Sequence, residues 1–188
     1  VSGGIWDGNN ENNSRGPDGP TDVYTGVALA FVKVNHLRLS DLTVRNPDSF
    51  SIRIGETNHF SVENITFDHQ VVRRTQDGVH VGGFCEDGII RNLRALHPLT
   101  TNDDMVALNA DDDVTRAVNL GMKLGPIRNV HVEGLRAESP DAFVRILSQT
   151  QPVENIRIRD ISGGSRIHAI KMDSWRFPHG SGHIRNVD

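Results

Sequence analysis

The stretch Phe60-Ser-Val62-Glu-Asn64-Ile65-Thr-Phe67 decides the fold of this chain. Large apolar residues alternate with polar ones on both sides of Asn64, which is typical of strands that bury one face. The alternation breaks at Asn64, a residue type that tolerates the left-handed backbone of a tight bend. The stretch therefore predicts a short strand, a bend and a second short strand.

The same unit recurs along the chain. Its four central residues read apolar, any residue, turn-forming and apolar, at Leu39–Leu42, Val62–Ile65, Ile90–Leu93, Val132–Leu135, Ile158–Ile161 and Ile184–Val187. The third residues stand at positions 41, 64, 92, 134, 160 and 186, and steps of this size are typical of solenoids built from stacked repeats. We therefore predict that each unit stacks on the one before it.

A second strand follows most units, at Ser51–Ile54, Gly78–Val81, Met105–Leu108, Phe143–Ile146 and Ala169–Met172. Aligned, these segments give two inward apolar columns, which end at Ile170 and Met172. Between them runs one column that points outward from the sheet: Arg53, His80, Ala107, Arg145 and Lys171. The predicted fold is all-β, a right-handed parallel β-helix. The alternative, a β-sandwich, would need hairpin turns and polar outer faces on every strand.

We predict one domain over residues 1–188, with a loop at 7–20, where Asn, Gly, Asp and Pro dominate. The step from Asn92 to Gly134 is too long for one plain turn, so residues 110–126 are expected to be an insertion or a degenerate rung. The chain ends at Asp188 without a polar cap, and uncapped solenoids expose open strand edges. We therefore expect it to be part of a longer chain.

Composition excludes several classes of function. The net charge of −4, with both signs interspersed, shows no footprint for nucleic acid or an anionic membrane. No apolar stretch approaches the roughly 18 residues needed to span a bilayer. The single Cys85 excludes an internal disulfide, and we interpret it as a small buried side chain. A chain of 188 residues with 36% hydrophobic residues can bury a sizeable core.

Three carboxylates are predicted to meet on the outer wall. Asp77 and Asp104 each stand four residues before an apolar residue of the same inward column, so they occupy equivalent places on adjacent turns. Asp103 directly precedes Asp104, and its side chain should leave the bend in another direction. Like charges this close cannot all ionise freely, so at least one pKa should be raised.

Such a group suits hydrolysis of a glycosidic bond. One protonated acid protonates the leaving oxygen, and ionised carboxylates activate a water. By direction, Asp103 suits the acid, and Asp77 with Asp104 suits the water. Alternatively, these aspartates only cap strand ends or bind calcium.

Four segments resemble the polygalacturonase family of glycoside hydrolases, within the pectin-lyase-like superfamily of right-handed parallel β-helices. Thr75–Val81 is similar to the family's Asn-Thr-Asp-Gly-Ile-Asp-Ile, and Asn102–Leu108 to its Gly-Asp-Asp-Cys-Ile-Ala-Ile. Phe143–Leu147 resembles Gly-Val-Arg-Ile-Lys, and Gly4–Gly8 resembles the Gly-x-Ile-Asp-Gly that opens the helix. The resemblance implies inverting hydrolysis with Asp103 as acid and Asp77 and Asp104 holding the water, no cofactor, and a secreted or periplasmic location.

Two parts of the family pattern are not matched. Nothing between Asp104 and Arg145 reads Gly-His-Gly, and Leu147 stands where the family carries lysine. Arginine and lysine together would bind a uronate carboxylate. In its three aspartates the chain resembles β-helical glycosidases that act on neutral sugars, such as dextranases and α-1,3-galactosidases, equally well.

Further residues are predicted to bind a carbohydrate substrate. His80, Arg145 and Lys171 share the outward column, where cationic side chains would hold anionic or hydroxyl-rich groups. Trp175 offers a flat apolar face to a sugar ring. The acidic run at 111–113 is interpreted as a solvated loop rather than a calcium site.

Two other functions stay open. A polysaccharide lyase would hold calcium with Asp77 and Asp104 and use Arg145 as base. A non-catalytic adhesin or spike module would only bind carbohydrate.

Overall fold

The computed structural model describes residues 1–13, 25–112, 114–115, 117–119, 121–174 and 182–188. None of the described residues forms a helix long and apolar enough to cross a membrane. Apart from one 3-10 turn at Ala117–Asn119, the regular elements are strands. They are β1 (Ile5–Asp7), β2 (Leu29–Val32), β3 (Asn35–Ser40), β4 (Thr43–Arg45), β5 (Ile52–Gly55), β6 (Asn58–Asp68), β7 (Val79–Val81), β8 (Cys85–Ala95), β9 (Asp104–Asn109), β10 (Ile127–Glu138), β11 (Ala142–Leu147), β12 (Val153–Gly164), β13 (His168–Asp173) and β14 (Ile184–Val187).

The strands form two sheets. The first sheet has the order β1-β4-β6-β8-β10-β12-β14, with β3 also paired to β6, and the second has the order β13-β11-β9-β7-β5-β2. Every strand pair within the described residues is parallel. Successive turns therefore stack as a parallel β-solenoid, as predicted, and the β-sandwich alternative is wrong.

The bends lie where the sequence pattern places them. Asp41, Asn64, Asn92, Gly134 and Asp160 all have left-handed backbones, with φ between 54° and 68°. Their side chains also link the turns. The Asn64 amide donates to Asp41 Oδ1 at 2.9 Å, and the Asn92 amide donates to Asn64 Oδ1 at 3.0 Å. The predicted bends are confirmed.

The sixth unit is out of the predicted alignment. Ile184 pairs with Val153, and the Asn186 amide donates to Asn155 Oδ1 at 3.0 Å, so Asn186 stacks on Asn155 rather than on Asp160. A second row of left-handed residues, which includes Asn129 and Asn155, runs five residues before the first. Both rows use the same residue types, so the motif alone does not separate them.

The interior is filled by the two inward columns of the second sheet and their counterparts on the first. Ile52, Val79, Val106 and Val144 are fully buried. The last members were expected to be inward too, but Ile170 is 42% and Met172 is 54% exposed. Both lie on β13, the end strand of the second sheet, which has a neighbour on one side only.

Residues 110–126 lengthen one turn. Strands β8 and β10 pair directly, with Ile127 opposite Cys85, so this segment does not add a turn of its own. Its described residues pack back onto the second sheet, where Asn119 Oδ1 accepts from Arg53 at 2.8 Å and the Lys123 amide donates to Glu56 at 3.3 Å. The outward column is thus not a solvated face, because Arg53, His80 and Arg145 are all buried.

Candidate active site

Asp77, Asp103 and Asp104 lie together beside the starts of β7 and β9. One carboxylate oxygen from each lies within 4.8 Å of those of the other two. Asp77 is 2% and Asp104 is 3% exposed, whereas Asp103 is only partly buried. The structure therefore brings the three residues to one place, and leaves Asp103 as the accessible member of this acid cluster.

The backbone holds two of these acids in adjacent turns. The Gly78 amide donates to the Asp104 carbonyl at 2.9 Å, and the Asp104 amide donates to Asp77 Oδ1 at 3.2 Å. A Cβ at position 78 would lie 2.4 Å from the Met105 carbonyl oxygen, closer than real Cβ atoms approach. The glycine after Asp77 is therefore required for the two turns to approach at this point.

Burial and mutual repulsion change the acidity of the cluster. Burial raises the pKa of Asp77 well above its usual value, and the charge of Asp103 raises it further. Burial also raises the pKa of Asp104, and Asp77 and Asp103 add to it. The Arg145 guanidinium, 3.8 Å from Asp104, acts in the opposite direction on both. Because the groups are close, their protons belong to the cluster rather than to one residue.

His80 is held by neighbouring side chains at the edge of the acid cluster. Its Nδ1 hydrogen-bonds Asp77 Oδ2, its Nε2 lies 2.8 Å from Asp112 Oδ2, and its ring stacks on Phe50 with centroids 4.0 Å apart. The side chain is buried. Both ring nitrogens have partners inside the protein, and the predicted contact between His80 and sugar hydroxyls stays a prediction.

The acidic run at 111–113 is not a solvated loop in its described part. Asp111 and Asp112 are both buried, and Asp113 lies outside the described residues. Asp111 accepts from the amides of Gln149 and Gln151 at 2.6 and 2.8 Å, whereas Asp112 faces His80 and Arg53. Sequence reasoning missed Asp112 and Phe50, since a run of acids carries no signal for the direction in which an insertion folds.

Two residues of the predicted cationic column, Arg145 and Lys171, contact an acid, Asp173. Arg145 Nε and Nη2 each lie 3.4 Å from Asp173 Oδ1, and Lys171 Nζ lies 3.0 Å from Asp173 Oδ2. Asp173 pairs in register with Leu147, the residue that departs from the family pattern. Sequence reasoning missed Asp173, although register and charge make it recognisable once the strands are aligned. Trp175 lies outside the described residues.

The cleft at the acid cluster is small. It is lined by the three aspartates together with Phe50, Thr75, His80, Asn109, Asp112 and Arg145, and its volume of about 10 Å³ suits one water molecule. Two larger hollows, about 450 Å³ each, lie beside Arg136 and Asn155 on the first sheet, and neither contains the cluster. We place the site at the small cleft because the titratable groups converge there.

The three oxygens are hard donors of the kind that Ca²⁺ prefers. They already have other partners, however, since Asp77 is bonded to His80 and Asp104 lies beside the Arg145 guanidinium. We therefore assign no metal to this cluster.

The stacked parallel turns with an acid cluster on the wall define the class of fold, a parallel β-solenoid. In sequence the chain is 20% identical over 157 residues to Polygalacturonase QRT2 of Arabidopsis thaliana, covering 81% of the chain and 31% of that relative. It is 24% identical over 161 residues to Probable polygalacturonase At3g15720 of the same plant, covering 85% of the chain and 31% of that relative. No family model and no solved structure matches the chain.

The chain spans about a third of the length of these curated relatives. With the parallel β-solenoid, these similarities identify it as a distant homologue of polygalacturonases, as the sequence motifs predicted.

Proposed function

We propose that the protein is a glycoside hydrolase whose acid cluster carries the reaction. The observation that carries this proposal is the approach of three carboxylates, from two adjacent turns, to within 4.8 Å around a cleft that suits one water. Structural aspartates at strand ends have no need to converge, because convergence costs electrostatic repulsion. The similarity to polygalacturonases supports the same class of reaction.

We assign the catalytic roles from the solvent exposure of the three aspartates. Asp103, the partly exposed member, donates its proton to the leaving glycosidic oxygen, while buried Asp77 and Asp104 hold the attacking water. Because Asp77 and Asp104 are 2–3% exposed, we assign the attack to a water held beside them rather than to either carboxylate. We therefore propose hydrolysis with inversion, although the 4.8 Å approach is shorter than the roughly 6.5–9.5 Å usual between the carboxyl groups of inverting enzymes.

The protons balance within the cluster. The raised pKa values of Asp77 and Asp104 keep a proton in the cluster, and that proton is available to Asp103 for the leaving group. Its departure leaves an ionised Asp77 or Asp104, which takes a proton from the attacking water. Each turnover thus restores the starting number of protons.

Asp173 bears on the substrate class. Arg145 and Lys171 both contact this one carboxylate, so a uronate would have to displace it to bind them. We propose that the site prefers neutral sugar hydroxyls to a uronate carboxylate. We also propose that the protein meets its carbohydrate in a secreted or periplasmic location.

The test is hydrolysis of a panel of polysaccharides by purified full-length protein and its Asp103→Asn variant. Polygalacturonic acid, dextran and arabinogalactan serve as the panel, and released reducing ends are measured. We expect wild type to release sugars from at least one of them, and Asp103→Asn to lose about 10²-fold or more in rate while it stays folded.

Two results would overturn this proposal: equal rates for both proteins, or no release by wild type. Chelator-sensitive cleavage with an ultraviolet-absorbing unsaturated product would indicate a calcium-dependent lyase instead. That chemistry is disfavoured by Arg145, whose guanidinium is held by two carboxylates and is a poor base.

A further inference from the structure

The insertion reaches the acid cluster through one histidine. His80 lies between two carboxylates that are 35 residues apart in sequence, with Nδ1 on Asp77 and Nε2 on Asp112. Asp112 belongs to the segment that lengthens one turn, and it lines the cleft beside His80. Resting on the proposed hydrolase function, we propose that Asp112 is a positioning residue that fixes the tautomer and orientation of His80, and through it prepares Asp77 as base.

The ring cannot turn away from Asp77. Phe50 stacks on one face with its centroid 4.0 Å away, and Asn109 Nδ2 lies 3.3 Å from Nε2. Arg53 lies 3.4 Å from the same Asp112 oxygen that faces His80, and Asn119 holds Arg53 in turn at 2.8 Å. A buried ring with partners on both nitrogens has one orientation, set by those partners.

Asp112 also decides which nitrogen carries the hydrogen. Beside the Arg53 guanidinium, an ionised Asp112 only accepts hydrogen bonds, so Nε2 must donate to it. The lone pair on Nδ1 then accepts a hydrogen bond from Asp77, whose raised pKa keeps a proton on this carboxyl group until a proton passes to Asp103 for the leaving group. When the attacking water gives a proton to Asp77, that proton can be shared with Nδ1, and the Asp112 charge balances the imidazolium that forms. No other reactant is needed, and the atoms of the water are all accounted for.

The variant Asp112→Ala tests this directly. Asparagine would keep an oxygen against Nε2, because the same Asp112 Oδ2 atom also accepts from Arg53, which only donates. Alanine removes this acceptor and leaves the Asn109 amide, a donor, beside Nε2, so the ring hydrogen should move to Nδ1 and the acceptor that faces Asp77 should be lost. On the panel polysaccharide with the highest wild-type rate, we expect kcat to fall about 10²-fold with KM within about twofold. Nitrogen NMR of ¹⁵N-histidine-labelled protein should show the hydrogen on Nε2 in wild type and on Nδ1 in Asp112→Ala, with the His80 signal assigned from its loss in His80→Asn.

Asp111→Asn is the matched control. Asp111 is the buried neighbour of Asp112 but bonds the loop at 149–151 rather than His80, so its loss should change stability without changing the His80 tautomer. His80→Asn provides a second route, because its kcat should fall as far as that of Asp112→Ala, and the double variant should fall no further.

The outcomes separate the two proposals. Full kcat and an unchanged tautomer in folded Asp112→Ala would overturn the inference while Asp103→Asn still tests the hydrolase. Additive losses in the double variant would also overturn it. If wild type hydrolyses nothing on the panel, the hydrolase proposal fails. The tautomer measurement alone then still decides whether Asp112 fixes the tautomer of the His80 ring.

Discussion

At the residue scale, Asp104 shows how a group of the proposed site lowers the stability of the folded protein. Its carboxyl group is buried, lies beside two other acids, and has its pKa raised by burial first and by those acids next. An acid whose pKa is higher in the folded state than its unfolded value of 3.8 holds its proton longer when folded. Stability is therefore greatest below that value and falls as pH rises toward the folded pKa, because the unfolded chain releases its proton first.

We predict that Asp104→Asn raises the melting temperature at pH 7 by about 2–4 °C, since the amide keeps the shape and removes a buried charge. The same variant should lose hydrolysis. Thermal unfolding between pH 3 and 8 checks this, and the wild-type curve should fall with pH more steeply than that of the variant. A variant less stable than wild type at pH 7 would show that Arg145 outweighs burial.

Asp173 makes a second prediction at this scale. Asp173→Asn should remove the carboxylate that Arg145 and Lys171 share, so binding of tri-galacturonate should tighten about tenfold, the effect of one charge-assisted contact. Calorimetry in the Asp103→Asn background avoids turnover. Glu154→Gln, which pairs with Arg128 and Arg185 on the first sheet, is the control and should leave binding unchanged. Unchanged binding by Asp173→Asn would remove the proposed role of Asp173 in selectivity.

At the element scale, each bend depends on its backbone conformation and on a side-chain contact to the next turn. Asn92 has φ 57° and donates to Asn64. Asn92→Ala loses both advantages, whereas Asn92→Gly loses only the hydrogen bond. We predict that Asn92→Ala is less stable than Asn92→Gly by about 1 kcal/mol in urea unfolding. Equal stabilities would mean that the left-handed backbone costs alanine nothing here.

Alternation and turn residues were enough to predict the strands, the first five bends and the meeting of the three aspartates, because each depends on residues near in sequence or on a fixed register. The sixth bend was misaligned because Asn155 and Asp160 belong to two rows with one chemistry. Asp112 and Phe50 were missed because the path of a long insertion has no period. The partner of Arg145 was missed because Asp173 reaches it only across strands.

At the scale of the whole molecule, stacking is what creates the site. Asp77 and Asp104 come from adjacent turns, Arg145 from the next, and Asp112 from the lengthened turn between them. No single turn supplies the whole site, although Asp103 accompanies Asp104 and His80 accompanies Asp77. The solenoid thus converts sequence separations of tens of residues into contacts of a few ångströms.

The configuration of the first product tests the central claim, that the acid cluster delivers a water to a glycosidic bond. Proton NMR of the anomeric signals in the first minutes of hydrolysis reports it before the sugar equilibrates. The account predicts the anomer opposite to that of the substrate, because it assigns the attack to a water held by buried Asp77 and Asp104 rather than to a carboxylate. The same anomer as the substrate would contradict it.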